Sequence, residues 1–310
     1  MNEQKQKTKD FFNRKAMDYY REHYQVEFEK EKYPSQYIRH QRILGLLEGE
    51  KPGWVLDGGC GSGVMACELV RRRWRVVALD IAEKMIKETN ERTARMIPRK
   101  KDWVKTRVGD VEALDLEDSA MDATLYSGVI EYLEKDEPLL SEARRVLKPG
   151  GILIVTSRNR LFNLFSMNDY TRSEIQNGTV ASLLEELLGL QSWLEYEKKT
   201  IPLLVKYMRE RVSKKNIEVF QATMGKVSKP PLDYTMTRRQ HSPFQLKASF
   251  EKMGFTVEKF EFWHSHPFPV SFEGLSRALF IEMGMALEVL HQTPLAPLIC
   301  SGLIVKGRKI

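Results

Sequence analysis

The sequence predicts an α/β fold built on a largely parallel sheet with helices on both faces, and three observations carry that expectation. Short apolar runs alternate with helix-like stretches from Trp54 to Thr156. A glycine-rich turn, Asp57-Gly58-Gly59-Cys60-Gly61-Ser62-Gly63, follows the first run. A second run ends in Asp80, 80 − 57 = 23 residues beyond Asp57. Strand–helix alternation buries both faces of a parallel sheet, and glycines after a strand let the backbone turn tightly against a ligand before a helix opens.

The elements follow in order. Residues 1–50 are polar and tyrosine-rich, and Ile38, Arg42, Ile43, Leu46 and Leu47 have the spacing of an amphipathic helix stopped by Gly49 and Pro52. Strands are predicted at 54–56, 76–79, 104–108, 123–126 and 152–156, with helices at 64–73, 82–96 and 138–146. The alternation then stops. Residues 161–237 carry helical apolar stripes, such as Leu183, Leu184, Leu187 and Leu188, and no strand pattern. A helix at 243–253 with a stop at Gly254, a strand at 256–262, a helical stretch at 273–291 and a last strand at 303–306 complete the chain. The division is therefore 1–160 as N-terminal helices and nucleotide-binding core, 161–237 as a helical lid insertion, and 238–310 as completion of the core.

Composition narrows the class. The 310 residues carry 49 Lys+Arg and 42 Asp+Glu, a net +7, with 42% hydrophobic residues, which is ordinary for a globular protein. Three cysteines make no disulfide framework. The charged start offers no apolar signal run, and no stretch reaches the roughly 18 apolar residues of a membrane span. Disordered, secreted and transmembrane classes are set aside, and a cytoplasmic enzyme is expected. Residues 198–239 hold 11 Lys+Arg against three acids, 11 − 3 = +8, so the remainder sums to −1. This basicity is confined to the lid, where it would meet an anionic or lipid-like acceptor or a membrane surface. Nucleic acid is disfavoured, since no RNA-binding module accompanies the charge.

A carboxylate at the tip of the second strand suits the two hydroxyls of a ribose, so the pattern points to an adenosine-containing ligand. The spacing G-x-G-x-G departs from the dinucleotide fingerprint, whose third glycine falls two residues later. Asp57 beside the turn would repel a pyrophosphate and attract an ammonium. That favours S-adenosylmethionine over a nicotinamide cofactor. With the stretches 55–63, 76–86, 109–133 and 143–155, the sequence resembles the class I S-adenosylmethionine-dependent methyltransferases, in their small-molecule branch.

The resemblance covers about half the chain. It implies a Rossmann-like, mostly parallel seven-stranded sheet with an antiparallel last strand, and methyl transfer to a small-molecule or lipid-like acceptor, most readily at oxygen. N- or C-methylation, a nicotinamide-dependent oxidoreductase and an inactive S-adenosylmethionine-binding module are the alternatives. By the same resemblance, Gly59, Gly61 and Gly63 line the methionine half of the cofactor with Asp57 at its amino group and Arg39, or Arg42, at its carboxylate. Asp80 holds the ribose, Ile81, Asp110 and Val111 meet the adenine, and Ser127 lies by the sulfonium. Glu131, Tyr132 and His241 are candidate general bases, alongside His264 and His266. The ubiquinone-type O-methyltransferases place metal ligands after the fourth strand, where this chain has Gly128, Glu131 and Tyr132, so no metal is expected.

Overall fold

The computed structural model describes residues 3–25, 33–193, 200–211, 213–223 and 238–310. Its sheet follows the sequence closely: β1 Trp54–Gly58, β2 Arg75–Asp80, β3 Val104–Val108, β4 Met121–Ser127, β5 Leu147–Asn159, the two-residue β6 Gln240–His241, β7 Phe255–Ser265 and β8 Cys300–Lys309. The order is β3-β2-β1-β4-β5-β8-β7, with β6 paired to β5. The first five strands pair in parallel and β8 runs antiparallel to both neighbours, as the family resemblance implies.

Alternate residues of the central strands feed two separate cores. Leu56, Val77, Leu79, Leu153, Val155 and Val305 face one; Val55, Val76, Ala78, Ile152, Ile154 and Ile304 face the other. Burial on both faces is why these strands read as continuous apolar runs. The principal helices are α1 Glu3–Tyr20, α2 Ser35–Leu46, α3 Val64–Arg71, α4 Glu83–Met96, α5 Glu137–Val146, α6 Asp169–Gln176, α7 Val180–Gly189, α8 Thr200–Arg211, α9 Lys214–Thr223, α10 Pro243–Lys252 and α11 Arg277–Leu287. Leu139, Leu140 and Ala143 of α5 and Leu246 and Phe250 of α10 cover the first face. Ile43 and Leu44 of α2 and Met65 and Leu69 of α3 cover the second. Helix α10 begins where its sequence says: Ser242 and Gln245 form a capping box, Pro243 opens the first turn, and Gly254 follows the end at φ +75°.

The helical character predicted for 161–237 is present in α6 to α9, while residues 194–199, 212 and 224–237, including Lys198 and Lys199, lie outside the described residues. The C-terminal part is tied to the core by one buried carboxylate. Asp136, before α5, accepts hydrogen bonds from Arg239 Nη1 (2.7 Å) and Ser249 Oγ (3.2 Å) and pairs with His241 Nε2 (3.1 Å). Burial alone would raise its pKa, but the bonds from His241 and Arg239 outweigh it and hold it at about 2.

Breaking a buried ion pair from one side strands the other charge, at a cost of about 3–5 kcal/mol. Asp136→Ala should lose about that much unfolding free energy in a denaturant titration at pH 7. The wild-type contribution is present above the ordinary carboxylate pKa and lost as pH falls toward 2, so the two proteins should converge in acid. A difference under about 0.5 kcal/mol at pH 7 would place the anchor elsewhere.

Candidate active site

The glycine turn sits where the strand order reverses, between β1 and β4, the place at which an open α/β sheet leaves a crevice beyond its carboxyl ends. Gly59 and Cys60 donate their N–H groups to Leu79 O at 2.7 and 3.0 Å, which ties the turn to β2. Two side chains of α4 hold it from beneath: Thr89 Oγ1 donates to Gly61 O at 2.9 Å and Arg92 Nε to Ser62 O at 2.6 Å. Gly61 has φ +54° and open space beside it; a Cβ at this position would find its nearest neighbour on Tyr19, 3.9 Å away. Gly63 differs. A Cβ there would meet Thr89 at 2.8 Å, and the residue opens α3 at φ +75° without lining the cavity. Its role is close packing of the turn on α4, a correction to its expected place beside the ligand.

The cavity above the turn is walled by Gly59, Gly61, Asp80, Ile81, Asp110, Val111, Ser127, Gly128 and Tyr132. Asp80 accepts from Gly61 N and Ala82 N, both at 2.9 Å, one bond to each carboxylate oxygen. Each oxygen keeps a lone pair for a further donor. Burial pushes its pKa up to about 6 against those bonds. Asp110 accepts from Glu112 N (2.9 Å) and pairs with Lys5 (2.6 Å), so it serves the turn and α1 as well as the wall. Asp57, behind the turn, is 1% exposed, and among the described residues its Oδ2 has no hydrogen-bond partner; neither has the buried Ser127 Oγ. Of the two arginines expected near it, Arg42 is spent on Glu288. Arg39 reaches Gly128 with Nη1 and leaves a buried Nε unpartnered.

Among the described residues, the cover of this cavity is α1, and none of those in the 161–237 insertion lines it. Lys5, Thr8, Phe12 and Tyr19 form its outer wall. Lys5 bridges Asp110 and Glu112, Lys9 pairs with Glu83, and Phe12 stands edge-on to Tyr132 at 5.5 Å. The spacing 5, 8, 12, 19 places all four on one helix face, which is the signal that sequence reading passed over in a segment taken only as polar and helical.

Beyond Gly128 lies a second cleft of about 530 Å³, lined by Glu131, Arg39, Arg158, Arg238, Gln36, Trp263, His264 and His266 among others. Glu131 is 9% exposed; its Oε2 lies 3.3 Å from Arg158 Nε but has no hydrogen bond. Tyr132 walls the first cavity under Arg238, whose guanidinium lies 5.4 Å from the ring centroid, and burial drives its phenol pKa up. His241 is elsewhere. Its two nitrogens are taken by Ser157 Oγ (2.7 Å) and Asp136, and it lines neither space. The basic residues Arg209, Arg211, Lys214 and Lys215 lie on α8 and α9, which line neither space within the described residues. Among those residues no group of three or more His, Cys, Asp and Glu is placed to hold a metal, and no helix is long and apolar enough to cross a membrane.

Residues 56–155 match the family model described as a methyltransferase domain. A malonyl-[acyl-carrier protein] O-methyltransferase of Serratia marcescens is 31% identical over 117 residues, 38% of this chain and 43% of that protein. The sterol 4-C-methyltransferase strm-1 of Caenorhabditis elegans is 26% identical over 210 residues, 64% of this chain and 60% of that one. The chain thus covers less than two thirds of either relative's length. The crystal structure of magnesium protoporphyrin IX methyltransferase from Synechocystis PCC 6803, solved with bound SAH, shares the fold with a TM-score of 0.58 at 14% identity, over 99% of this chain and 100% of that one.

The buried Asp57 gives a direct test of this geometry. Burial, then repulsion by Asp80, push its pKa up to about 7, with Arg39 drawing it back. An acid whose pKa is higher folded than unfolded stabilises the fold fully below its unfolded value and loses that contribution as pH rises through the folded one. The ligand-free protein should therefore lose about 2–4 kcal/mol of unfolding free energy from this group between pH 4 and 8. Asp80 acts in the same direction over a narrower window. Asp57→Asn should remove most of the slope, and an unchanged slope in that variant would overturn the assignment.

Proposed function

Residues 56–155 belong to the class I S-adenosylmethionine-dependent methyltransferases, and from that premise we propose that the chain methylates an oxygen of a small acceptor bound in the cleft beyond Gly128. The observation that carries the reading is the junction of two spaces at Gly128. One is lined by groups that suit S-adenosylmethionine, and the other presents a buried carboxylate, Glu131, beside the same residue.

The fit to the cofactor rests on atoms the protein leaves unsatisfied. Asp57 Oδ2 and Arg39 Nε are buried without partners among the described residues, and an amino-acid moiety offers an ammonium for the first and a carboxylate for the second. Asp80 would take the ribose hydroxyls on its remaining lone pairs. Ile81 and Val111 would pack on the adenine. When bound, the cofactor supplies a methyl group already activated on sulfur.

What remains for the protein is alignment and proton removal. Glu131 is the group placed to take the proton of an acceptor hydroxyl, and Arg158 beside it stabilises the carboxylate while it waits. Helix α1, through Phe12 and Tyr19, excludes water from the cofactor side. Tyr132, its phenol pKa raised by burial, serves as a wall. His241 has no nitrogen left for chemistry. The relatives' names include acceptors at oxygen and at carbon, and Glu131 is what favours oxygen here. A nicotinamide reading has nothing further to support it, given the family of the 56–155 core. The basic face of α8 and α9 supports no acceptor role, since neither helix lines the cleft.

Two variants separate binding from chemistry. Asp80→Ala forfeits charge-assisted hydrogen bonds worth about 1.5–3 kcal/mol each, so calorimetry should show S-adenosylhomocysteine affinity down at least tenfold. Glu131→Gln should keep that affinity and lower transfer of labelled methyl to hydroxylated small molecules by about 10²–10⁴. Unchanged transfer in Glu131→Gln would remove the base. No transfer by the wild type to any of a broad panel would favour a binding module instead.

A further inference from the structure

The second cleft holds a group for which methyl transfer as described has no use. His266, at the end of β7, is 5% exposed, and its Nδ1 is bonded to Glu273 Oε1 at 2.5 Å. Its ring is fixed by Phe162, His264 and Phe280, with centroids 4.4, 4.6 and 5.3 Å away. Yet its Nε2, buried in the cleft wall, has no hydrogen-bond partner among the described residues. A buried polar atom left unpaired is costly and rare, and this one is held in place by everything around it.

The neighbouring backbone is strained toward the same end. His264 adopts φ +65°, a left-handed conformation for a residue with a side chain, and is clamped between the rings of Tyr33 and His266, each centroid 4.6 Å away. Such strain persists only where the surroundings over-determine it. Nor is His266 alone. Gln36 Oε1 and Glu131 Oε2 line the same cleft, are buried, and lack hydrogen-bond partners among the described residues. They share the space with the donors of Arg39, Arg158 and Arg238, so the cleft suits an occupant that both donates and accepts hydrogen bonds, as a hydroxyl does, rather than an apolar chain.

Burial holds His266 neutral, its pKa pushed down to about 3, and raises the Glu273 carboxyl to about 7. Once Glu273 is ionised, above pH 7, the imidazole gives its Nδ1 proton to that carboxylate and presents Nε2 as an acceptor.

We infer that the cleft selects a small acceptor with at least two hydroxyl groups, one brought to Glu131 beside Gly128 and the other donating its hydrogen to Nε2 of His266, which is a positioning and specificity residue. The inference rests on the methyl-transfer reading and narrows it. It favours a polyhydroxylated acceptor over a lipid-like one. Methylation of the first hydroxyl leaves the second unchanged, so a diol acceptor leaves as a hydroxy ether.

The test uses the full chain saturated with S-adenosylhomocysteine and probes whose hydroxyls stand progressively further apart: catechol, hydroquinone and 4-hydroxybenzyl alcohol, each against phenol or benzyl alcohol. Calorimetry should show at least one diol binding tenfold or more tighter than its mono-hydroxy counterpart. In ¹⁵N-histidine-labelled wild type, that diol should also move the Nε2 resonance of His266. His266→Asn keeps a polar atom toward Glu273 and deletes Nε2, and should abolish the preference. His266→Gln places an amide near the Nε2 position and should retain most of it. Both variants should bind S-adenosylhomocysteine as the wild type does. No diol preference in the wild type, an unmoved Nε2 resonance, or a preference surviving in His266→Asn would overturn the inference while leaving methyl transfer standing. Failure of the wild type to bind S-adenosylhomocysteine would bring down the methyl-transfer reading and this inference with it.

Discussion

The structure depends on a carboxylate buried where it is not satisfied. Asp57, next to the last residue of β1, is 1% exposed and leaves one oxygen without a hydrogen bond among the described residues. A fold tolerates such a group only if packing elsewhere outweighs it, and here the two apolar cores on either side of β1 do so. What the arrangement gains is a fixed carboxyl group at the switch in strand order, poised to ionise against a cation behind the glycine turn. The turn is held by hydrogen bonds that it donates to β2 and accepts from α4, besides its own Gly63 N–H to Cys60 O bond.

Around this point the chain assembles two spaces from distant segments. The first is closed by α1, whose Lys5 and Lys9 grip acids after β3 and at the start of α4. The second opens along the ends of β4, β5, β8 and β7, where Glu131, Arg158, His264 and His266 come from separate stretches of chain. Gly128 belongs to both. Its φ of +71° disfavours any residue with a Cβ there, and a Cβ would meet Arg39 Nη1 at 2.8 Å.

Much of the first space was legible in the sequence, because its chemistry is local. Gly59 and Gly61, Asp80 and Ile81, and Asp110 and Val111 wall it and each lie within a few residues of a strand end, which is what alternation and glycine spacing reveal. Arg39 could be named only as one of two, and the choice was made by Glu288, 246 residues along the chain from Arg42, which it takes up. His241 looked as eligible as any histidine until Asp136 and Ser157 occupied both its nitrogens. The roles of α1 and of the His266–Glu273 pair were out of reach for the same reason: each depends on contacts between segments whose separation in sequence carries no periodic signal. Gly63 erred in the opposite direction, since its spacing is that of a ligand-lining glycine while its neighbour is Thr89.

If Asp57 holds the ammonium of an S-adenosyl amino acid, binding must be coupled to proton loss, because a carboxyl with a pKa pushed up to about 7 has to ionise before it can pair with that cation. Calorimetry of S-adenosylhomocysteine binding at pH 6, repeated in buffers of different ionisation enthalpy, measures that coupling. The wild type should release protons, approaching one per ligand, and Asp57→Asn should show a marked reduction together with weaker binding. Binding that is equally tight and equally proton-linked in the two proteins would contradict this role for Asp57.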